Sequence, residues 1–141
     1  MFIFEYHICI GGLETWQTYT TLPNILKNFN PNLVGMSFAT TKGFYKTIDN
    51  YNIATAAANA SHSIKQANYI IKQMQKDPAI DFNTDWKMIT VLIGHIDVCL
   101  DACKKNHIEA LDTAIGQMRQ MLDTLYHGLP RTFVNLMPIQ G

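Results

Sequence analysis

An apolar run from Met88 to Ile93, which β-branched Thr90 alone interrupts, constrains the fold of this chain most strongly. The run stops at Gly94, and an acidic residue, Asp97, follows three positions later. This pattern is typical of a buried parallel strand that delivers a loop. Because ligands in open α/β sheets bind outside the carboxyl ends of strands, we expect functional residues in this loop.

Helical and strand patterns alternate along the rest of the chain. Helical periodicity begins at Ser63 and stops at Asp77-Pro78, and a short helix starts after Thr21. A second long helix ends at Gly128 and Pro130, and an apolar stripe predicts its core-facing side: Ile108, Leu111, Ile115, Met118, Leu122 and Leu125. Strands are predicted at residues 33–38, 52–55, 87–93 and 132–136, the last of them buried. This alternation predicts βαβ units, a parallel sheet and an α/β fold, with three layers.

Composition and charge exclude several classes of function. The chain has 11 lysine and arginine residues and 11 aspartate and glutamate residues. No overall electrostatic field therefore favours the binding of nucleic acid. No apolar run approaches the roughly 18–20 residues of a membrane span. The opening Met1-Phe2-Ile3-Phe4 lacks a basic start and a cleavage site, so it predicts no signal peptide. We also predict no cofactor.

Three cysteines leave the redox state open. Cys99 and Cys103 are close enough to pair, which would leave Cys9 odd, and three unpaired thiols are the alternative. No metal site is predicted, because His95 and His107 flank the cysteine pair at a spacing that fits no zinc pattern. Asn59 begins an Asn-Ala-Ser triplet and is a candidate glycosylation site in a secretory protein.

The stretch from Trp86 to Cys103 resembles the third conserved block of the GDSL/SGNH lipases, above all their phospholipase B-like branch. That block has a tryptophan-lysine entry, an apolar strand, Gly-x-Asn-Asp and two close cysteines. The matching residues are Trp86, Lys87, the strand, Gly94, His95, Ile96, Asp97, Val98, Cys99 and Cys103. Further matches to the same branch occur on both sides of this stretch and in the family's order: Ile10-Gly11-Gly12, residues 20–26, Phe29-Asn30-Pro31, Leu129-Pro130-Arg131 and Val134-Asn135-Leu136.

The resemblance implies a fold and a chemistry. The fold is the three-layer α/β/α, flavodoxin-like SGNH hydrolase with a parallel sheet, here a single partial domain over residues 1–141 that is incomplete at both ends. The chemistry is that of a serine esterase acting on phospholipids or acyl lipids. In such enzymes a serine attacks the ester, a histidine is the base, and preorganised donors stabilise the oxyanion.

This chain lacks essential parts of that catalytic machinery. It contains no Gly-Asp-Ser and no Asp-x-x-His. Ala57 stands at the second-block glycine, and Ile96, without a donor, stands at the oxyanion asparagine. Losing one side-chain donor costs about 10²–10³ in rate, and losing the nucleophile or base about 10⁶. We therefore expect the isolated chain to be inactive.

Local substitutes are weak candidates for the missing groups. In Ser61-His62-Ser63 the serines and the histidine are adjacent in sequence and point apart. Asp97 is expected to order its loop or to cap the next segment, rather than to act as a base.

Three hypotheses remain open from the residues: a truncated or degenerate lipase copy, a piece of an active hydrolase, and a non-catalytic module that binds lipid or protein. Exposed sheet edges and zero formal net charge also predict self-association. The resemblance implies a secreted protein or a membrane-associated ectodomain.

Overall fold

The computed structural model describes residues 11–38, 51–55, 57–101 and 106–137. These residues fall into two compact units that divide between Thr55 and Ala57. That all of 1–141 forms one domain stays a prediction. In chain order, the elements are α1 (Leu22–Leu26), α2 (Ala60–Lys76), β1 (Lys87–Val91), α3 (His95–Asp101), α4 (His107–Gly128) and β2 (Thr132–Leu136).

In the larger unit, β1 and β2 form a parallel pair in register from Lys87 with Thr132 to Val91 with Leu136. The chain crosses from one strand to the other through α3 and α4, so this part is a βαβ unit. The predicted parallel strands are confirmed here. Along β1, the side chains of Ile89 and Val91 are buried, as the apolar run requires.

The prediction that residues 132–136 form a buried strand is wrong in its burial. Phe133 is 58% exposed and Leu136 is 48% exposed. Phe133 and its register partner Met88 lie on one face of the sheet, and Met88 is also exposed. An apolar side chain in a strand therefore does not guarantee a covered face.

Helix α2 begins three residues before the predicted start at Ser63, because Asn59 caps it and Ala60 is its first residue. It ends before Asp77-Pro78, as predicted. One face is buried and consists of Ala60, Ser63, Ala67, Ile70, Ile71 and Met74.

Helix α4 packs side by side with α2, and its buried face differs from the predicted stripe. The buried residues are Ala114, Met121 and Leu125, whereas Ile108 and Ile115 are exposed. Small side chains allow the two helices to approach closely. A Cβ atom added to Gly128 would lie only 2.7 Å from Cδ1 of Ile71. Close packing, and not the largest apolar side chains, selects the inner face.

The predicted cysteine loop after β1 is instead helix α3. Gly94 has φ of +112°, a conformation that glycine adopts easily, and it turns the strand directly into the helix. Helix α3 then packs against α4.

In the smaller unit, α1 starts at Leu22, where the sequence predicts a helix start, and Thr21 caps it. Its Oγ1 accepts a hydrogen bond from the backbone N–H of Asn24 at 3.2 Å and donates to the carbonyl of Gly11 at 2.6 Å. The buried Asn24 side chain donates to the carbonyls of Leu13 and Tyr19, at 2.7 and 3.0 Å. These bonds tie the preceding loop to the short helix.

The strands predicted at 33–38 and 52–55 are not regular strands in the described residues. The first contains an isolated parallel bridge between Gly11 and Ser37, because Gly35 has φ of +89° and breaks the extended backbone. In the second, the side chain of Asn52 accepts from the N–H of Ala54 at 3.2 Å. Such local bonds compete with a strand ladder.

Candidate functional site

The carboxyl end of β1 leads into the first part of the candidate site. Ile93 and Gly94 are buried, and α3 starts at His95 immediately afterwards. Ile96 lies in the first turn of α3 and is half-buried. The residue at the expected oxyanion-donor position therefore sits where a parallel sheet presents its ligands, but its side chain is a hydrocarbon.

The segment before α2 forms the second part of the candidate site. Ala57 has φ of +59°, in the left-handed region that glycine adopts without a steric penalty. For an alanine this conformation costs roughly 1–2 kcal/mol. The backbone at Ala57 thus has a conformation that suits glycine, the residue that the family resemblance implies for this position.

Asp97 joins these two segments directly. Its carboxylate is buried, and its two oxygens accept from the backbone N–H of Ala60 at 2.9 and 3.2 Å. Ala60 is the first residue of α2 and is fully buried, so Asp97 satisfies an amide that has no partner within the helix. A carboxylate is also favoured at the positive end of the helix dipole.

Asp97 therefore caps a helix, but that helix precedes Asp97 in the chain, whereas the sequence predicts a cap on the segment that follows. This link brings the third-block segment, with Gly94 and Ile96, against the start of the helix that follows Ala57. The two oxyanion-forming segments of the expected machinery are therefore fastened together in the described part of the chain.

The Ser61-His62-Ser63 stretch does not assemble a nucleophile and base. The Ser63 hydroxyl donates to the carbonyl of Ala60 at 2.6 Å, and the Ser61 hydroxyl donates to Oδ1 of Asn59 at 2.7 Å. Nδ1 of His62 accepts from the backbone N–H of Asn59 at 3.2 Å. All three side chains serve the start of α2.

Two further predicted features stay predictions. Asn59, the sequon asparagine, is the N-cap of α2, and its Oδ1 also accepts from the N–H of Ser61 at 3.2 Å. Cys99 is exposed on α3, whereas Cys9 and Cys103 lie outside the described residues. In the described ranges, no three His, Cys, Asp or Glu side chains form a group that could hold a metal ion.

Sequence reasoning missed a second organised region at the amino ends of β1 and β2. Lys87 is buried, and its ammonium donates to three carbonyls, those of Phe82, Asp85 and Pro130, at 2.6, 2.8 and 3.1 Å. Its backbone N–H donates to the carbonyl of Arg131 at 2.9 Å. Lys87 thereby joins the loop before β1 to the turn before β2.

Charge and aromatic contacts reinforce this amino-terminal region. The Arg131 guanidinium lies 4.9 Å from the centre of the Trp86 ring, and the Lys87 ammonium lies 5.2 Å from that of Phe82. Burial lowers the pKa of the Lys87 ammonium below its ordinary value of 10.5, against the opposing charges of Asp85 and Asp81. Hydrogen bonds from Thr84 and Asn83 lower the pKa of the Asp81 carboxyl below 3.8. The sequence did contain a signal for this region, because Trp86-Lys87 and Pro130-Arg131 both match the pattern of the same lipase family.

Within the described ranges, no helix is both long and apolar enough to cross a bilayer.

Comparison with known proteins gives one family and three close relatives. The model of the family described as GDSL-like Lipase/Acylhydrolase matches residues 10–140. "Phospholipase B1, membrane-associated" from Mus musculus is 39% identical over 133 residues, which is 92% of this chain and 8% of the relative. The proteins of that name from Rattus norvegicus and Homo sapiens are 38% and 37% identical, each over 130 residues, 92% of this chain and 9% of theirs.

The chain thus spans less than a tenth of the length of these curated relatives. No solved structure gave a significant match.

Proposed function

The chain belongs to the GDSL-like lipase/acylhydrolase family, and on that premise we propose that it is a degenerate copy of a domain that hydrolyses phospholipid or other acyl-lipid esters. The membership confirms the predicted resemblance and the three-layer α/β/α fold class with a parallel sheet. Ester hydrolysis is proposed from the family and from the name of the relatives, phospholipase B1. Degeneracy is proposed from the residues of this chain.

The observation that carries the proposal is Ile96. It stands in the first turn of α3, at the end of β1, where the family pattern has an asparagine. When an ester carbonyl is attacked, negative charge develops on its oxygen, and a side-chain amide at this position would donate to that charge. An isoleucine offers no donor and places apolar atoms beside the anion.

The backbone around Ile96 supports degeneracy rather than a different reaction. Asp97 still fastens α3 to the start of α2, and Ala57 still holds a left-handed conformation. If the site had acquired an unrelated chemistry, a new set of titratable groups would be expected around it. Ser61, His62 and Ser63 instead serve the helix start. The scaffold of the oxyanion hole is retained and its side-chain donor is lost.

A first measurement tests the chain by itself. Because its 141 residues contain no Gly-Asp-Ser and no Asp-x-x-His, we expect no hydrolysis of p-nitrophenyl butyrate or of dispersed phosphatidylcholine above the rate without protein. Loss of a nucleophile or base alone costs about 10⁶. Ready hydrolysis by the chain would contradict the proposal.

A second measurement isolates position 96. The chain is fused to the serine and histidine blocks of an active family member, and Ile96→Asn is compared with Ile96→Val. The asparagine should raise kcat by about 10²–10³ because it restores one oxyanion donor. The valine variant, which changes size but adds no donor, should stay at the level of the parent fusion. Equal turnover of the two variants, in fusions that melt cooperatively, would disprove the assignment of Ile96.

The relatives' name, membrane-associated, also bears on location. We propose that the chain acts at a membrane surface as a secreted or membrane-associated ectodomain. Cys99 and Cys103 would then meet oxidising conditions, in which a disulfide persists.

A further inference from the structure

A groove of about 580 Å³ lies at the amino ends of the strands, away from the segments that carry Ile96 and Ala57. Its walls come from Trp86, from the last turns of α4 and from the start of β2. The five residues of β1 are separated by four rises of about 3.3 Å, so its two ends lie about 13 Å apart. A molecule in this groove would not place an ester at the candidate site.

Two aromatic rings border the groove and remain open to solvent. Trp86 is 72% exposed, although Arg131 covers part of its ring. Tyr126 is 82% exposed, and its only recorded ring contact in the described structure is edge-on to His127 at 5.0 Å. Large aromatic rings held in the open beside a concave surface are suited to a cation or a partner ring.

Two opposite charges line the same groove, Asp123 and Arg131. Asp123 lies three residues before Tyr126 on α4, so the carboxylate and the tyrosine ring share one face of the helix. Among the described residues neither Asp123 nor Arg131 takes part in a recorded ion pair. The groove therefore presents a carboxylate, a guanidinium and aromatic rings together, and its lining also includes the apolar residues Leu122 and Val134.

From this combination we propose that the groove binds the zwitterionic phosphocholine headgroup of a bilayer lipid. Arg131 would donate to the phosphate, and the trimethylammonium would lie against Tyr126 and Trp86 with Asp123 as its counter-ion. The charges and rings indicate a zwitterion with a quaternary ammonium. The choice of a bilayer lipid as its source rests on the proposed function. The groove would hold the protein on the membrane without using the candidate site at the opposite end of β1.

The test uses the two tryptophans of the chain, Trp16 and Trp86. In the Trp16→Phe protein, Trp86 provides the only indole N–H signal in a nitrogen-correlated NMR spectrum. Titration with soluble phosphocholine should shift this signal saturably, and phosphatidylcholine vesicles should broaden it. Choline chloride and inorganic phosphate, each offering half of the ligand, should bind at least about tenfold more weakly.

Charge variants locate the binding. In the same background, Asp123→Asn and Arg131→Gln should each weaken phosphocholine binding about tenfold, since each removes one charge-assisted contact. The matched controls are Asp112→Asn and Arg119→Gln on exposed positions of α4, which should leave the affinity unchanged. Arg131 has φ of +52°, so Asp123→Asn, which disturbs no special backbone conformation, is the decisive variant.

Three results with soluble ligands would overturn the proposal: no shift of the Trp86 signal with phosphocholine, equal binding of phosphate alone, or unchanged affinity in Asp123→Asn. Binding to vesicles without a response to soluble phosphocholine would also overturn it, because it would indicate apolar adsorption. None of these measurements depends on ester hydrolysis. A failure here is therefore distinct from a failure at Ile96.

Discussion

The two ends of β1 differ in how they are held and in what they keep of the family pattern. At the amino end, Trp86, Lys87 and Arg131 all match the pattern, and Lys87 alone donates to three carbonyls. At the carboxyl end, Gly94 and Asp97 match it, whereas Ile96 does not. One carboxylate there holds the neighbouring helix, through the amide of Ala60.

The comparison of the two ends distinguishes residues that stabilise the fold from residues that would take part in catalysis. Lys87 and Asp97 both satisfy backbone groups of distant segments, and replacing either leaves buried polar groups without partners. An asparagine at position 96 would serve only a reacting ester, so an isoleucine at this position would cost the fold little. A copy that is no longer required to catalyse would lose the second kind of residue first.

The largest expected effect is at the amino end. Lys87→Met keeps the length of the side chain but removes the ammonium, so the carbonyls of Phe82, Asp85 and Pro130 lose a donor. We expect the free energy of unfolding to fall by about 3 kcal/mol, measured by urea denaturation. Lys72→Met, at an exposed position of α2, is the control and should change it by less than about 0.5 kcal/mol. Similar values for the two variants would show that the amino end is not held by Lys87.

A smaller effect is expected at the carboxyl end. Asp97→Ala leaves the buried N–H of Ala60 without its acceptor and should cost about 2 kcal/mol. Hydrogen exchange at the Ala60 amide should become faster. Asp97→Asn retains a side-chain oxygen and should cost less. If Asp97→Ala cost as much as Lys87→Met, the contrast between the two ends would fail.

The smallest effect concerns the strained residue of the carboxyl end. Ala57→Gly should stabilise the protein by about 0.5–1 kcal/mol, because glycine removes a left-handed penalty that exceeds its own entropic cost. Ala79→Gly, at an exposed turn position without positive φ, should instead destabilise by about 0.5–1 kcal/mol. Thermal melts of the two variants measure the difference, and a loss of stability in Ala57→Gly would contradict the strain at this position.

Much of the fold was predictable because its signals are local. The apolar run before Gly94 predicted β1, and helical periodicity with Pro78 as a stop predicted the end of α2. The inner face of α4 was not predictable in the same way. Ile108 and Ile115 are more apolar than Ala114, but close packing against α2 selected the smaller residue. Which face is buried depends on the neighbouring helix.

For the candidate site, the sequence predicts positions but not the connections between them. The family resemblance points to Ala57, Gly94, Ile96 and Asp97 as site positions, and their roles stay a prediction. The Asp97 carboxylate accepts a hydrogen bond from the backbone N–H of Ala60, which lies 37 positions earlier. This contact depends on how α2 and α3 are placed in the fold. The α3 helix itself was predicted as a loop, because seven residues give too short a periodic signal.

The sequence by itself determined the family and the parallel α/β class, because each depends on which residues occur and in what order. Only the tertiary structure decided what Lys87 and Asp97 do. Their partners, Pro130 and Ala60, lie 43 and 37 positions away. A buried charge is stable only when folding brings such distant backbone groups to it. Local sequence patterns do not predict these long-range contacts.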